Sequence, residues 1–238
     1  MKDYTFKILR FNPEKDKKAA FMEYQVPIRG GSTVLDGLFY IHKYMDSSLA
    51  FRFSCRGSVC GSCAMNINDG HRLACETQVE KLGSSIKIRP ISHLPVIKDL
   101  VVDMEMFWLH YEKIKPYLMS NNMEDIENII SPAERKKLDG LIECILCGLC
   151  FSACPVTSLD KDYYGPAALL KLGRFVEDKR DGYKERVNIG GTREGVWRCR
   201  NVFNCQEVCP KNLTPAKTIN RMRLKIFGSF VKKLKSKK

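Results

Sequence analysis

The sequence predicts an α+β chain in two parts. Three observations carry this: alternating apolar residues with a hairpin signal over the first hundred positions, helical periodicity afterwards, and eleven cysteines gathered into short groups. Tyr4, Phe6 and Ile8 alternate with Thr5, Lys7 and Leu9, the period of a half-buried strand. Met22, Tyr24 and Val26 repeat it beyond a polar turn at Asn12-Pro13. Ser32-Thr33 opens a helix whose apolar face is Val34, Leu38, Ile41 and Met45. Residues 64–68 and 71–74 flank Asp69-Gly70, a two-residue hairpin signal, and Ile86 and Ile88 mark a further strand.

Beyond about residue 100 the period becomes helical. Ser131-Pro132-Ala133-Glu134 combines an N-cap serine, a proline at the first helical position and a capping-box glutamate. Gly165-Pro166 precedes a helix with Leu169, Leu170, Leu172 and Phe175. Thr214-Pro215 starts a last helix through Ile219, Met222 and Ile226, before a lysine-rich tail.

Composition narrows the class. Hydrophobic content of 44% with 28% charged residues is that of a folded chain. The most apolar stretch, residues 141–156, is broken by Glu143 and four cysteines, so no bilayer span is expected. The N-terminus lacks the apolar core of a signal peptide and is too acidic for a transit peptide. The expected location is therefore the cytoplasmic side. Eleven thiols in a reducing compartment suggest metal ligands, since an odd number cannot all form disulfides. The net charge of +13 would suggest nucleic acid or an anionic surface. Three thiolate-ligated clusters at roughly −2 each would offset about half of it. No nucleic-acid partner is expected.

The first cysteine group is Cys55-x4-Cys60-x2-Cys63, with Cys75 after eleven intervening residues. Four-then-two is the spacing of plant-type [2Fe–2S] ferredoxins. Gly57 and Gly61 are expected to adopt positive φ there, turning N–H groups of the loop toward the sulfides. A four-cysteine zinc site is the alternative. The second group, Cys144-x2-Cys147-x2-Cys150-x3-Cys154-Pro155, is the bacterial ferredoxin run without a gap. In two-cluster proteins the fourth cysteine of such a run ligates the other cluster. The third group, Cys199, Cys205 and Cys209-Pro210, repeats the run with Val202 in place of its second cysteine.

By the crossing rule Cys144, Cys147, Cys150 and Cys209 hold a [4Fe–4S] cluster, leaving Cys154, Cys199 and Cys205 for a second. Three thiolates suit a [3Fe–4S]; completion of a [4Fe–4S] by water or another ligand is the alternative. All eleven cysteines are then used. His42, His71, His93 and His110 are scattered, and no dinucleotide fingerprint, P-loop or covalent haem motif is present. Redox centres without substrate machinery read as an electron conduit.

Three segments, SCRGSVCGSCAMNINDGHRLAC (54–75), CILCGLCFSACP (144–155) and VWRCRNVFNCQEVCPKNLTP (196–215), make the chain resemble the iron–sulfur subunits of succinate dehydrogenases and quinol:fumarate reductases. Gly165-Pro166-Ala167-Ala168 and the CPKNL segment lean toward fumarate reductase-like members. The resemblance implies a [2Fe–2S] ferredoxin-like β-grasp domain over 1–103. An all-helical, bacterial-ferredoxin-like domain with the [4Fe–4S] and [3Fe–4S] clusters is implied over 104–238. It implies partners as well: a flavoprotein subunit with FAD, and a membrane anchor, with or without haem b, that binds ubiquinone or menaquinone. Electrons would pass between FAD and quinone, at the cytoplasmic face of the cell membrane.

By position, Pro155, Val156, Thr157, Arg200 and Arg223 are the candidates for quinone contact. The ubiquinone-using pattern has a tryptophan after the cysteine-proline and a histidine after the next cysteine. This chain has VTSLDKD and Arg200 instead, which makes menaquinone plausible. Trp197 is expected to pack beside the cluster. The lysines at 225, 232, 233, 235, 237 and 238 either meet acidic headgroups or form a solvated tail. Two rival readings are the cluster subunit of a soluble, thiol-dependent fumarate reductase and a basic zinc protein that binds nucleic acid.

Overall fold

The computed structural model describes residues 1–120 and 127–235, with side chains through residue 231. The side chains of Lys232, Lys233 and Lys235, and residues Lys237 and Lys238, lie outside what is described. The chain forms two compact units, Met1–Met104 with Ile145–Ala153, and Glu105–Cys144 with Cys154–Lys238.

The first unit is built on β1 (Lys2–Arg10) and β2 (Ala20–Ile28), an antiparallel pair in register from Lys2↔Ile28 to Arg10↔Ala20. Tyr4, Phe6 and Ile8 face inward with Tyr24, Val26 and Ile28, while Met22 stays exposed. Helix α1 (Val34–Tyr44) starts at Thr33, whose capping box with Asp36 satisfies two orphan donors. It buries Val34, Leu35, Leu38 and Ile41, whereas Met45 falls just past its end, exposed. Strands β3 (Ala64–Ile67), β4 (Gly70–Leu73) and β5 (Ser85–Arg89) complete a mixed sheet in the order β2-β1-β5-β3-β4, with β5 parallel to β1.

The β3–β4 hairpin departs from expectation by one residue. Ile67 pairs with Gly70, so the loop is Asn68-Asp69, and both residues take the left-handed conformation. Asn and Asp tolerate positive φ, which the two-residue turn demands at both positions, leaving Gly70 free to begin β4. A small ribbon of β6 (Val96–Lys98) and β7 (Val101–Val102) follows. Beside it Asp99 receives the backbone amides of Phe11 (3.0 Å) and Ala50 (2.9 Å) and pairs with Arg10 at 2.9 Å. The segment Ile145–Ala153 docks on this unit: Ser92 N donates to Ser152 Oγ at 2.6 Å.

In the second unit the elements are helical. They are α2 (Glu105–Lys113), α3 (Pro132–Lys136), α5 (Pro155–Leu159), α6 (Gly165–Glu177), α7 (Tyr183–Gly190), α8 (Asn204–Glu207) and α9 (Pro215–Lys235). The number α4 belongs to Leu149–Ser152, in the first unit. Ser131 and Glu134 form the expected capping box on α3. Leu169, Leu172, Phe175 and Val176 of α6 pack with Val187 of α7 and Ile219, Met222 and Ile226 of α9. Each such side chain contributes roughly 1.5–3 kcal/mol on burial.

Arg186 is fully buried. Its guanidinium pairs with both oxygens of Asp181, at 2.7 and 2.9 Å, and lies 4.2 Å from the Phe175 ring centre. It also donates to the carbonyls of Ile114 (2.7 Å), Lys115 (2.6 Å) and Tyr117, fixing the stretch after α2. No described helix is long and apolar enough to cross a membrane.

Candidate metal centres

The loop carrying Cys55, Cys60 and Cys63 folds around its own sulfurs. Cys55 Sγ accepts from the backbone amides of Gly57 (3.4 Å), Val59 (3.4 Å) and Cys60 (3.3 Å), and Cys60 Sγ from the Cys55 amide (3.5 Å). Across the hairpin Cys75 N donates to Cys63 Sγ at 3.5 Å. This convergence uses left-handed backbone at Arg56, Ser58 and Gly61; the positive φ expected at Gly57 falls instead on its two neighbours. For Arg56 the conformation costs roughly 1–2 kcal/mol. Its guanidinium stacks over Phe39 (4.6 Å) and Phe53 (5.7 Å), a cation–π contact that helps offset the cost.

The electrostatics follow from these contacts. The Ser62 hydroxyl and the Cys55 backbone pull the Cys60 thiol down to about 6, whereas burial pushes Cys63 up to about 12. Amides aimed at sulfur favour the charged, metal-binding form.

The second and third groups share one backbone design. In Cys144–Cys150, Leu146 and Gly148 have φ of 53° and 79°, and Gly148 caps α4. In Cys199–Cys205, Asn201 and Phe203 have φ of 55° and 70°, and Phe203 caps α8. Two left-handed residues on alternate positions make an amide-lined concavity of the kind that holds cluster sulfides. In this shared conformation Val202 occupies the place that Cys147 has in the other loop.

Within the second unit Cys144 and Cys209 pack against one apolar cluster of Leu141, Leu170 and Leu213. Cys147 and Cys150 belong to the segment that docks on the first unit. Cys154, Cys199 and Cys205 line a single cavity with Tyr163, Val202 and Ile219. Burial pushes the Cys154 thiol up, and Cys205 up to about 11. All eleven cysteines are free of disulfides. Soft thiolates in amide-lined loops suit iron–sulfur clusters. Among the described residues, no three or more His, Cys, Asp or Glu side chains close on a point as ligands of one bare ion do. The fit to clusters therefore rests on the loops and their donor chemistry.

Pro155, Val156 and Arg200 line the same cavity as Cys154, Cys199 and Cys205. Thr157 is buried, its hydroxyl donating to the Cys154 carbonyl at 2.8 Å. Arg223 donates to the carbonyls of Val196 (2.9 Å) and Cys199 and to Asn220 Oδ1 (3.0 Å). That guanidinium braces the Cys199 loop. Trp197 is 42% exposed and donates its indole N–H to the Gly191 carbonyl at 3.2 Å. Lys225 pairs with Glu177 at 2.7 Å. Sequence reasoning missed Tyr163 and the stacking of Arg56. Tyr163 carried no signal beyond its place two residues before Gly165, and Arg56 only its place beside Cys55.

Residues 5–109 match the family described as "2Fe-2S iron-sulfur cluster binding domain", and residues 140–213 the family described as "4Fe-4S dicluster domain". The chain is 44% identical to the succinate dehydrogenase iron–sulfur subunit of Coxiella burnetii over 225 residues, covering 92% of this chain and 95% of that one. It is 38% identical to the fumarate reductase iron–sulfur subunit of Escherichia coli over 234 residues, covering 97% and 96%. Among solved structures, a chain of the apo-form Sdh1 complex of Mycobacterium smegmatis shares the fold, with a TM-score of 0.84 at 23% identity over 94% of this chain and 95% of that one. The lean toward fumarate reductase gains no preference here, since the more identical of the two relatives carries the succinate dehydrogenase name. Matched nearly end to end at these identities, the chain belongs to the iron–sulfur subunit family of succinate dehydrogenases and fumarate reductases, and is one subunit of an oxidoreductase complex.

Proposed function

We propose that this chain conducts electrons between the FAD of a flavoprotein subunit and a quinone held in a membrane anchor, at the cytoplasmic face of the cell membrane. Clusters held by its thiolates supply one-electron carriers, which link two-electron flavin chemistry to stepwise quinone chemistry. The ligand sets are Cys55, Cys60, Cys63 and Cys75 for a [2Fe–2S], Cys144, Cys147, Cys150 and Cys209 for a [4Fe–4S], and Cys154, Cys199 and Cys205 for a [3Fe–4S]. The observation that carries the reading is the shared backbone of 144–150 and 199–205, with Val202 where the second thiolate stands. A side chain without a donor atom cannot hold a fourth iron.

The chain's own residues do the holding. Amides of Gly57, Val59 and Cys60 support sulfur charge in the first loop, and Arg223 and Thr157 brace Cys199 and Cys154 in the last. Pro155, Val156 and Arg200 form the rim that a quinone head, menaquinone or ubiquinone, would meet. Thr157 and Arg223 act on that rim through the cysteine backbone. The domains that serve the two ends are residues 1–103 and 104–238. The reading as a subunit of a soluble, thiol-dependent fumarate reductase is not favoured by relatives matched over nearly their whole length.

The test is isolation of the tagged chain from its own membranes. A co-isolated FAD protein and anchor are expected, with paramagnetic resonance signals of three centres that respond to succinate and to quinol. A chain isolated without flavin, whose centres ignore both reductants, would overturn the proposal.

A further inference from the structure

Tyr163 is 1% exposed and stands in the cavity lined by Cys154, Cys199 and Cys205. The cavity is also lined by apolar Val156, Pro166, Ala216 and Ile219, and by Arg200, Asn201 and Asn204. A buried phenol needs a polar partner, because a hydroxyl taken out of water without a hydrogen bond is destabilising. Cys154 and Cys199 pack against the buried cluster to which Tyr163 belongs, and their sulfurs share its cavity. A phenol keeps its proton near neutral pH, and a metal-bound thiolate sulfur has none to give, so between the two the phenol is the donor. The neighbouring Tyr164 points its hydroxyl elsewhere, accepting from Thr192 Oγ1 at 3.3 Å.

We propose that Tyr163 is a positioning residue whose O–H donates to the Cys199 sulfur and raises the reduction potential of the three-cysteine centre. The proposal rests on the ligand assignment above. A donor to ligand sulfur draws off negative charge, and the reduced centre carries one more electron than the oxidised one. The hydrogen bond therefore stabilises the reduced form more, and dry surroundings strengthen the effect. Arg223 serves the same residue through its carbonyl, so Cys199 is held from both its backbone and its sulfur.

The test is a redox titration of the whole complex, following the oxidised-state signal of the three-cysteine centre by paramagnetic resonance. Tyr163→Phe should weaken reduction about tenfold, a fall of about 59 mV for a one-electron centre, with the other two midpoints unmoved. Site-specific replacement of Tyr163 by 3-fluorotyrosine keeps the shape and sharpens the donor, so the midpoint should rise. This second variant decides the matter even if Tyr163→Phe fails to assemble. An unchanged midpoint in either variant, or an equal shift from Tyr164→Phe, overturns the proposal. Failure of the ligand assignment looks different: the parent complex would then lack a three-iron signal altogether.

Discussion

Gly61 approaches Cys147 so closely that a Cβ on Gly61 would stand 2.6 Å from the Cys147 Cβ and 2.8 Å from its Cα. Gly61 also has a φ of 72°, which glycine adopts freely. The loop of Cys55–Cys63 and the loop carrying Cys147 are therefore pressed together inside one compact unit. Gly61→Ala combines overpacking of roughly 1–3 kcal/mol with a left-handed alanine at roughly 1–2. The expected outcome is destabilisation of about 3 kcal/mol, with the [2Fe–2S] and [4Fe–4S] resonance signals both weakened and the [3Fe–4S] signal retained. Uniform loss of all three would contradict a local clash.

Val202→Cys tests the shared loop design. Asn201 and Phe203 already hold the left-handed conformations that Leu146 and Gly148 hold around Cys147. A cysteine at 202 would stand on the backbone conformation that Cys147 already has, the place of a fourth thiolate. The oxidised-state three-iron signal should disappear, replaced by a four-iron signal on reduction. Persistence of the original signal with iron in excess would count against the site.

Arg186→Met should destabilise the second unit strongly. It leaves the buried Asp181 carboxylate and the carbonyls of Ile114, Lys115 and Tyr117 without their shared donor. Breaking a buried pair of this kind costs roughly 3–5 kcal/mol. Arg186→Lys should recover only part of it, since an ammonium cannot reproduce a planar fork. Denaturant midpoints of the two variants against the parent provide the comparison.

Asp46 sets an acid limit for the first unit. Burial pushes its carboxyl up, but hydrogen bonds from Ser48, Tyr24 and Arg10 overcome that and hold it well below the usual carboxylate range. A carboxylate depressed in the folded state stabilises fully above its unfolded value of about 3.9, and that stability is lost progressively as pH falls from there toward the depressed folded value. Asp46→Asn should therefore be less stable than the parent at pH 7, with the gap beginning to narrow as pH drops below about 4. Thermal unfolding across pH 7 to 3 measures it, and a gap that is constant with pH contradicts the pairing.

Much of this was legible locally. The alternation of Tyr4, Phe6 and Ile8 marked β1, Thr33 marked the start of α1, and Ser131 with Glu134 marked α3. The cysteine spacings pointed to the cluster domains that the family matches describe. The β3–β4 turn stands one residue before the Asp69-Gly70 signal, because Asn68 and Asp69 both accept positive φ and Gly70 can then begin the strand. Contacts between residues distant in sequence left no such mark. Nothing local announces that Ile145–Ala153 docks on the first unit, that Arg223 reaches the Cys199 carbonyl, or that Tyr163 enters the three-cysteine cavity. Those arrangements come from packing, which single-residue patterns do not encode.

Iron, zinc and acid-labile sulfide, measured per polypeptide on anaerobically purified material, bear most directly on whether these cysteines hold clusters. Iron and sulfide sufficient for a two-iron, a three-iron and a four-iron cage, with no zinc, are expected. Zinc in place of iron, or iron without matching sulfide, contradicts the conduit reading at its base.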